Sequence, residues 1–321
     1  YWTIDCTLKA NNKNFVAKLH GDEKGNKIEL PNEEAVKPIV DLLKGSEFKV
    51  KEIKKGTRHK RPSAPFTTST MQQESSKILG FSTSKTMQVA QQLYEGVDIK
   101  GEGTTGLVSY IRTDSVRIAD EAYEELHQYI IDSFGENYAN KDKVEYKSRS
   151  RAQDAHEAIR PTSTLRTPDS IKDSLSKDQY KLYKLIWERF VSSQMAPALF
   201  DSVSVVITAD KYVFRSSGSI LKFEGYLIIN KKNEEKEENV LMPELSKDEV
   251  LKLVDTKAEQ HFTQPPARFS EAMIIKTLEE LGIGRPSTYS PTITTILSRG
   301  YVVKENKAFY PTELGEIVND M

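Results

Sequence analysis

The feature that most constrains the fold of this chain is a change of residue periodicity along its length. Residues 1–53 and the stretch after Ser202 contain segments that alternate apolar and polar residues, which predicts β-strands. Between them, apolar residues recur every three or four positions, which predicts helices. We therefore expect an α+β multidomain protein in which a helical domain is inserted into a β-rich one, because insertions are tolerated where chain ends lie close together.

Individual elements follow from the same pattern and from capping residues. The predicted strands are 15–19, 48–50, 203–207, 212–214 and 220–229, and the predicted helices are 33–44, 69–79, 84–93, 115–134 and 177–195. In the last part of the chain, Ser270 caps a helix over 271–281 that Gly282 ends, and a second helix reaches about residue 298. A hairpin turning at Glu305 and Asn306 follows, and this order predicts a winged-helix-like nucleic-acid module.

Charge and composition limit the possible classes of function. The 321 residues suffice for two or three domains, and the 46 basic and 47 acidic side chains leave a net charge of −1, so binding of nucleic acid would have to come from local basic patches. The densest basic patch, residues 54–61, is interpreted chiefly as a linker before Pro62, and a second comprises Lys147, Arg149 and Arg151. The charged residues 231–238 are predicted to form a loop or hairpin tip.

Cysteine content and hydropathy indicate a cytoplasmic protein without a membrane partner. One cysteine, Cys6, excludes an internal disulfide framework and a zinc site built on several cysteines. No apolar stretch approaches the roughly 18 residues that a membrane span needs. The chain starts at Tyr1, without an initiator Met or a signal-peptide pattern, so we expect a piece of a longer protein.

Residues 106–115 carry the strongest chemical signal. They place the phenol of Tyr110 two positions before the guanidinium of Arg112, next to Ser109, Thr113 and Asp114. A cation favours the phenolate and neutralises a phosphate that the phenolate attacks, so covalent attack on a phosphodiester is one interpretation. The alternative is a strand whose Tyr and Ile pack in a core, with Thr-Asp-Ser capping a helix.

Two further segments resemble known motifs only in part. Residues 101–106 match the dinucleotide fingerprint in letters, but a strand-like run follows where a helix is needed, so a flexible turn is predicted. His156 and Glu157 match the first two residues of a zinc-protease motif, but the position of the second histidine is occupied by Arg160. If the segment is helical up to Pro161, His156 and Arg160 share one face and both donate to phosphate oxygens, whereas the alternative is a capped helix end with exposed charges.

The third segment is a helix start rich in small polar residues. Residues 284–288, which include Arg285, Ser287 and Thr288, are predicted to start the second C-terminal helix, with Tyr289 next and Arg299 at its other end. Unpaired backbone N–H groups at a helix start, with hydroxyls and an arginine, suit an anion. An ordinary linker between two helices would also use Gly and Pro.

Taken together, these segments closely resemble the type IA DNA topoisomerases. The matching strings are PFTTSTMQQ at 65–73, QQLYEG at 91–96, SYIRTDS at 109–115, AHEAIRPT at 155–162 and GIGRPSTY at 282–289. Ile111, between Tyr110 and Arg112, resembles the topoisomerase I branch, since the topoisomerase III branch typically has proline there. The resemblance implies the arch of this family: a β-rich domain (1–64 and 197–262), an inserted helical tyrosine domain (65–196) and part of a winged-helix-like DNA-binding domain (263–321).

The resemblance also implies roles for single residues. Tyr110 would hold the 5′ end of a cleaved strand, Arg112 would stabilise the phenolate and the scissile phosphate, and His156 would contact a nearby phosphate. Asp114 would orient Arg112 or cap the following helix. The expected DNA-binding residues are Ser109, Thr113, Asp114, Glu157, Arg160, Arg285, Ser287, Thr288, Tyr289 and Arg299.

The chain departs from the family pattern in one respect. Type IA enzymes bind Mg²⁺ through an Asp-x-Asp-x-Glu cluster in a Toprim domain, and these 321 residues contain no such string. The resemblance therefore implies a fragment whose partners are its own Toprim domain and single-stranded or negatively supercoiled DNA, with no cofactor in the chain itself. We expect the full-length enzyme to relax negative supercoils without ATP, and this chain alone to bind single-stranded DNA weakly without relaxing plasmids.

Two other classes of function stay open at this point. Tyrosine recombinases and type IB enzymes also use Tyr, Arg and His, but they place the tyrosine after the other two, whereas Tyr110 precedes His156. A non-catalytic winged-helix DNA-binding protein is supported only by residues 263–321.

Overall fold

The structure is a computed structural model that describes residues 1–147, 155–229 and 240–321. In chain order its strands are β1 (Trp2–Ala10), β2 (Lys13–Asp22), β3 (Phe48–Lys60), β4 (Val97–Ile99), β5 (Gly103–Thr105), β6 (Ala198–Ala209), β7 (Tyr212–Phe223), β8 (Val250–Gln260), β9 (Val302–Glu305) and β10 (Ala308–Pro311). Its α-helices are α1 (Glu33–Leu43), α2 (Thr68–Glu74), α3 (Thr83–Glu95), α4 (Asp120–Phe134), α5 (Lys177–Ser193), α6 (Glu271–Glu280), α7 (Tyr289–Ser298) and α8 (Glu313–Asp320). The α+β fold class predicted from the sequence is confirmed.

The described residues form two compact units. The first contains residues 1–60, 197–224 and 240–266, and the second contains 61–147, 155–196, 225–229 and 267–321. The three-domain division expected from the sequence stays a prediction. Arg149 and Arg151 of the second basic patch, and the charged stretch 231–238, lie outside the described residues.

The first unit is an antiparallel sheet of six strands that closes on itself in the order β1-β2-β7-β6-β3-β8. Alternating positions of these strands point inward, so that Phe48, Val205 and Phe214 are buried together. Helix α1 begins at the N-cap Asn32, whose side chain accepts from the Ala35 N–H, and buries Val36 and other apolar residues in the same core.

Strand β3 is longer than the sequence suggested. Residues 54–60, interpreted as part of a basic linker, continue the strand and pair with β6 as far as the Lys60–Ala198 register. The prediction of a linker was wrong because this half of β3 is solvent-exposed on both faces, so its charges show no apolar alternation. The strand predicted over 220–229 likewise ends at Phe223, and residues 225–228 form a short 3₁₀ helix.

Helices dominate the second unit. Helix α2 continues into a single π-helical turn at 75–79, and the hairpin of β4 and β5 turns at residues 100–102. The turn predicted over residues 101–106 is confirmed only for 101 and 102, because Gly103–Thr105 form β5; Gly101 and Gly103 are both at positive φ. Helix α5 contributes aromatic side chains to the core of this unit, since Tyr183, Trp187 and Phe190 are buried.

Helix α4 begins later than predicted. Residues 113–119 are not helical, and the N-cap is Ala119, which provides no side-chain hydrogen bond. The Thr113 and Ser115 hydroxyls instead accept from the backbone N–H groups of Ser115 and Arg117, which holds the chain in non-helical turns. The expected capping of this helix by Thr-Asp-Ser, Asp114 included, was therefore wrong.

The last part of the chain has the element order that the winged-helix-like prediction requires. Ser270 caps α6, Gly282 follows it at φ 70°, and α7 leads into the β9–β10 hairpin, which turns through Asn306 and Lys307 at positive φ. Ile275, Tyr289, Ile293 and Phe309 form a small core. Helix α7 starts at Tyr289, so residues 284–288, predicted to start this helix, form the turn before it; Gly284 is at positive φ and the Thr288 hydroxyl bonds the Arg285 backbone.

Candidate active site around Tyr110

The backbone on both sides of Tyr110 is fixed by long-range hydrogen bonds. The Ser109 N–H donates to the Arg160 carbonyl oxygen at 2.9 Å, and the Ser109 hydroxyl donates to the Ala158 carbonyl oxygen at 2.7 Å. Val108 and Ile111 are buried, whereas Tyr110 between them is 46% exposed. The loop therefore holds its apolar residues in the core and presents the phenol to solvent. The alternative interpretation placed both Tyr110 and Ile111 in a core; Ile111 is buried there, but Tyr110 is not.

Thr68, the first residue of α2, fixes the other side of the loop. Its hydroxyl lies 2.8 Å from the Ile111 carbonyl oxygen, 3.1 Å from that of Thr113 and 2.8 Å from the Thr113 N–H. The Thr68 N–H donates to the same Thr113 carbonyl oxygen at 2.9 Å. All these atoms are buried, so each bond replaces solvation that the groups have lost. Thr113, expected to contact DNA, is itself only 1% exposed, and its DNA contact stays a prediction.

Tyr110 lies between two other rings. Its ring centroid is 5.7 Å from that of Tyr94 and 5.7 Å from that of His156, and both pairs meet edge to face. An open groove of about 540 Å³ lies on the Tyr94 side of Tyr110, without His156, and is lined by Tyr110, Arg112 and residues of α3: Met87, Gln88, Gln91, Tyr94 and Glu95. The structure thus brings Tyr110, Arg112 and His156 together, with Arg112 exposed.

The segment that carries His156 is extended, not helical. Ile159 and Pro161 form isolated bridges with Phe66 and Val108, and the Ala158 N–H donates to the Arg117 carbonyl oxygen at 2.8 Å. The helical spacing proposed for His156 and Arg160 was therefore wrong, because these backbone pairings fix the segment beside the Tyr110 loop. His156 still reaches Tyr110, through a backbone bridge rather than a helix face.

Arg160 and Glu157 form a partly buried ion pair behind the loop. The Arg160 Nε donates to Glu157 Oε2 at 2.7 Å, and the same oxygen accepts from the Ala119 N–H at 3.2 Å. Burial opposes ionisation of Glu157, but the hydrogen bond and charge of Arg160, together with the Ala119 N–H, hold the pKa of the carboxyl below its ordinary value. The pair joins the His156 segment to the start of α4.

The residues of the second predicted site lie on an exposed turn. Arg285, Ser287 and Thr288 are exposed, and the Arg285 N–H donates to the Thr288 hydroxyl at 2.8 Å. Arg299 is exposed at the end of α7, whereas Tyr289 is buried in the small core of that module. Helix α7 packs against α3, which also lines the Tyr110 groove. The DNA contacts of these residues stay predictions.

Two glutamates of α6 hold this module against α2 and α3. Glu271 is 4% exposed, and its carboxylate accepts from the Thr83 N–H at 2.6 Å and pairs with the Lys304 Nζ at 2.6 Å. Glu279 accepts from the Ser69 hydroxyl at 2.8 Å. The Thr83 N–H lies at the start of α3, where a helix offers no backbone acceptor of its own, so the Glu271 carboxylate supplies its hydrogen-bond acceptor.

Sequence reasoning missed Tyr94, Thr68, Glu271 and Glu279. QQLYEG and PFTTSTMQQ, which contain Tyr94 and Thr68, were recognised only as matching strings. Their contacts join residues 16 to 210 positions apart, and no local spacing reports such contacts.

The described residues contain no group of three or more His, Cys, Asp or Glu side chains that could hold a metal ion. They also contain no helix long and apolar enough to cross a membrane.

Comparison with known proteins identifies the family. A family model described as DNA topoisomerase matches residues 1–321. The chain belongs to the DNA topoisomerase family, in its type IA class. Among solved structures it is similar to full-length topoisomerase I from Thermotoga maritima, at 38% sequence identity and a TM-score of 0.83. The match covers 100% of this chain and 51% of that protein, so the chain spans about half the length of this relative.

Proposed function

We propose that this chain carries the nucleophile of a type IA topoisomerase that cleaves and rejoins one DNA strand. The Tyr110 phenol loses its proton to solvent as its oxygen attacks the phosphorus, the bond from phosphorus to the 3′ oxygen breaks, and the departing 3′ oxygen takes up a proton from solvent. The product is a 5′-phosphotyrosine and a free 3′ hydroxyl. After strand passage the hydroxyl attacks the same phosphorus and releases Tyr110, so the bond energy is conserved and no ATP is needed.

The observation that carries the proposal is the placement of Tyr110. It is an exposed phenol on a loop that buries Val108 and Ile111 and is hydrogen-bonded to two other segments, at residue 68 and at residues 158 and 160. A fixed nucleophile lowers the entropy cost of reaching in-line geometry. Arg112 in the same groove supplies the positive charge for the phosphate, and His156 is placed to donate a second hydrogen bond to it.

The remaining parts of the proposal concern the whole enzyme. We assign the Mg²⁺ to a Toprim domain outside this chain, where the family places its acidic cluster. The proposed substrate is single-stranded or negatively supercoiled DNA, bound by Arg285, Ser287, Thr288 and Arg299 as well as by the residues around Tyr110. A cytoplasmic, nucleoid-associated location follows from that substrate.

Plasmid relaxation tests the proposal. The full-length enzyme should relax a negatively supercoiled plasmid without ATP, and Tyr110→Phe should abolish relaxation, because phenylalanine keeps the ring and removes the attacking oxygen. Tyr94→Phe is the matched control, since it removes a hydroxyl from the neighbouring ring of the same groove. Relaxation by the Tyr110→Phe enzyme at the wild-type rate would contradict the proposal.

A further inference from the structure

A second anion-binding surface lies in the first unit, on the outer face of strands β2, β7, β6 and β3. The strand register places side chains on this face in rows: Lys18 is opposite Arg215, and Lys54, Ser204 and Ser217 lie in line across the next row. A further row contains Gly56, Ser202 and Ser219. Successive rows are about 6.6–6.8 Å apart, because residues on one face alternate along each strand.

This face forms one continuous groove. Two adjoining cavities of about 440 and 640 Å³ share Ser204, Ser217 and Val240 as lining residues. Their described lining contains no carboxylate and four cationic residues of this face, namely Lys18, Lys54, Arg58 and Arg215; Lys55 also lines it but alternates with Lys54 along β3. The row of Lys18 and Arg215 continues through Val206 to Glu52, a carboxylate of the same face. In a chain with a net charge of −1, such a groove is a local excess of positive charge that favours an anion.

Three of these cations, Lys18, Lys54 and Arg215, are weakly engaged by carboxylates of the protein itself. Among the described residues no ion pair joins Lys18 or Arg215 to a carboxylate. Lys54 lies 3.4 Å from Glu52, but both side chains are more than half exposed, which makes this a pair of small energy. Like charges directly opposite each other on neighbouring strands, such as Lys18 and Arg215, are unfavourable until an anion lies between them.

The neutral side chains of the groove suit a phosphodiester backbone. Ser204, Ser217 and Ser219 have short hydroxyl side chains that can donate to phosphate oxygens and leave room for a strand to lie close to the sheet, whereas the Ser202 hydroxyl donates to the Gly56 carbonyl oxygen at 3.1 Å. Base stacking needs an open aromatic face, and the Phe200 ring beside the groove is covered by the Arg58 guanidinium at 4.5 Å from its centroid. The lining therefore favours contacts with the backbone over contacts with bases.

We propose that this groove binds the phosphate backbone of a DNA strand without reading its sequence, as a second DNA site separate from the residues around Tyr110. The identification of the polyanion as DNA rests on the proposed function, whereas the assignment of the groove as an anion-binding site rests on its charges and on the strand register. An acidic protein segment is the competing occupant, and it would leave DNA binding independent of these side chains.

The test measures DNA binding in the absence of the nucleophile. The full-length protein carrying Tyr110→Phe is titrated with a fluorescently labelled oligonucleotide at several salt concentrations. The variant Lys18→Gln/Lys54→Gln/Arg215→Gln removes three groove charges. The matched control Lys9→Gln/Lys37→Gln/Lys252→Gln removes three exposed charges of the same unit that do not line the groove.

The groove variant should bind at least about 10-fold more weakly at low salt, by the same factor for oligonucleotides of different sequence. The slope of log K against log[salt] should become less steep by about 2, because each of the three lost phosphate contacts contributes about 0.7 on a single strand. The control should bind within about twofold of the parent. An unchanged slope in the groove variant, or an equal loss in the control, would overturn the proposal. Because the salt dependence of reversible binding is measured, and not cleavage, this result is independent of whether Tyr110 is the nucleophile.

Discussion

The loop that carries Tyr110 and the turn that carries Arg285 are built in opposite ways. Thr68 fixes the Tyr110 loop through buried bonds to residues 43 and 45 positions along the chain. Thr288 plays a similar role for Arg285, but its bonds are exposed and span only three positions. The difference indicates that the proposed nucleophile is held in position by the tertiary structure, whereas the proposed DNA-positioning arginine lies on a turn ordered by local bonds.

The largest expected effect concerns the charge next to the nucleophile. Arg112→Ala in the full-length enzyme should reduce the rate of strand cleavage about 10²–10³-fold, the usual loss for a group that stabilises charge in a transition state. Arg117→Ala is the control, because Arg117 is also exposed and follows the same loop but does not line the groove. Single-turnover cleavage of an oligonucleotide measures both. Equal losses for the two variants would contradict the assignment of Arg112.

A pair of threonine substitutions tests the comparison directly. Thr68→Val should lower the free energy of unfolding by about 1–3 kcal/mol, because it leaves the buried Ile111 carbonyl and Thr113 N–H without a partner. Thr288→Val should change it by at most about 0.5 kcal/mol, because water replaces the hydroxyl at an exposed turn.

Denaturant unfolding of the two variants gives both values. The Thr68→Val enzyme should also cleave more slowly, as the loop loses its fixed position, while Thr288→Val should alter chiefly DNA affinity. Similar losses of stability at both sites would show that the two loops are held alike.

A smaller effect concerns pH. The pKa of Glu157 is lowered in the folded protein, so its contribution to stability is present above the unfolded pKa of about 4.3 and is lost as the pH falls through the lower folded value. Glu157→Gln should therefore remove part of the loss of stability on acidification, measured by thermal unfolding between neutral and strongly acidic pH. Glu124→Gln, at an exposed position of α4, serves as control. If the two variants lose stability identically on acidification, the ion pair of Glu157 with Arg160 does not contribute to the pH dependence of stability.

The sequence predicted secondary structure best where a helix or strand buries one of its faces and exposes the other. Periodicity predicted α1, α3, α5 and α6 within two or three residues, and it predicted the hairpin at residue 306, because capping residues and glycines mark their ends. It failed for the exposed half of β3, where neither face is buried, and for the start of α4, where the Thr113 and Ser115 hydroxyls bond the backbone instead of capping a helix.

The candidate site was only partly predictable for a related reason. Tyr110 and Arg112 are two residues apart, so their proximity is visible in the sequence, and the resemblance of five short strings to one family supplied the role of His156. The helical face proposed for His156 and Arg160 was wrong because pairing with Phe66 and Val108, both distant in sequence, makes the segment extended. Thr68, Tyr94 and Glu271 act through long-range contacts that no local pattern encodes.

The central claim is that Tyr110 becomes covalently attached to the 5′ end of a cleaved strand. It is tested most directly by trapping the full-length enzyme on a single-stranded oligonucleotide with a denaturant, digesting the protein and identifying the nucleotide-linked peptide by mass spectrometry. The structure predicts a phosphate link at Tyr110 and a free 3′ hydroxyl on the released strand. A link at another residue, such as Tyr94, or a link to the 3′ end, would contradict it.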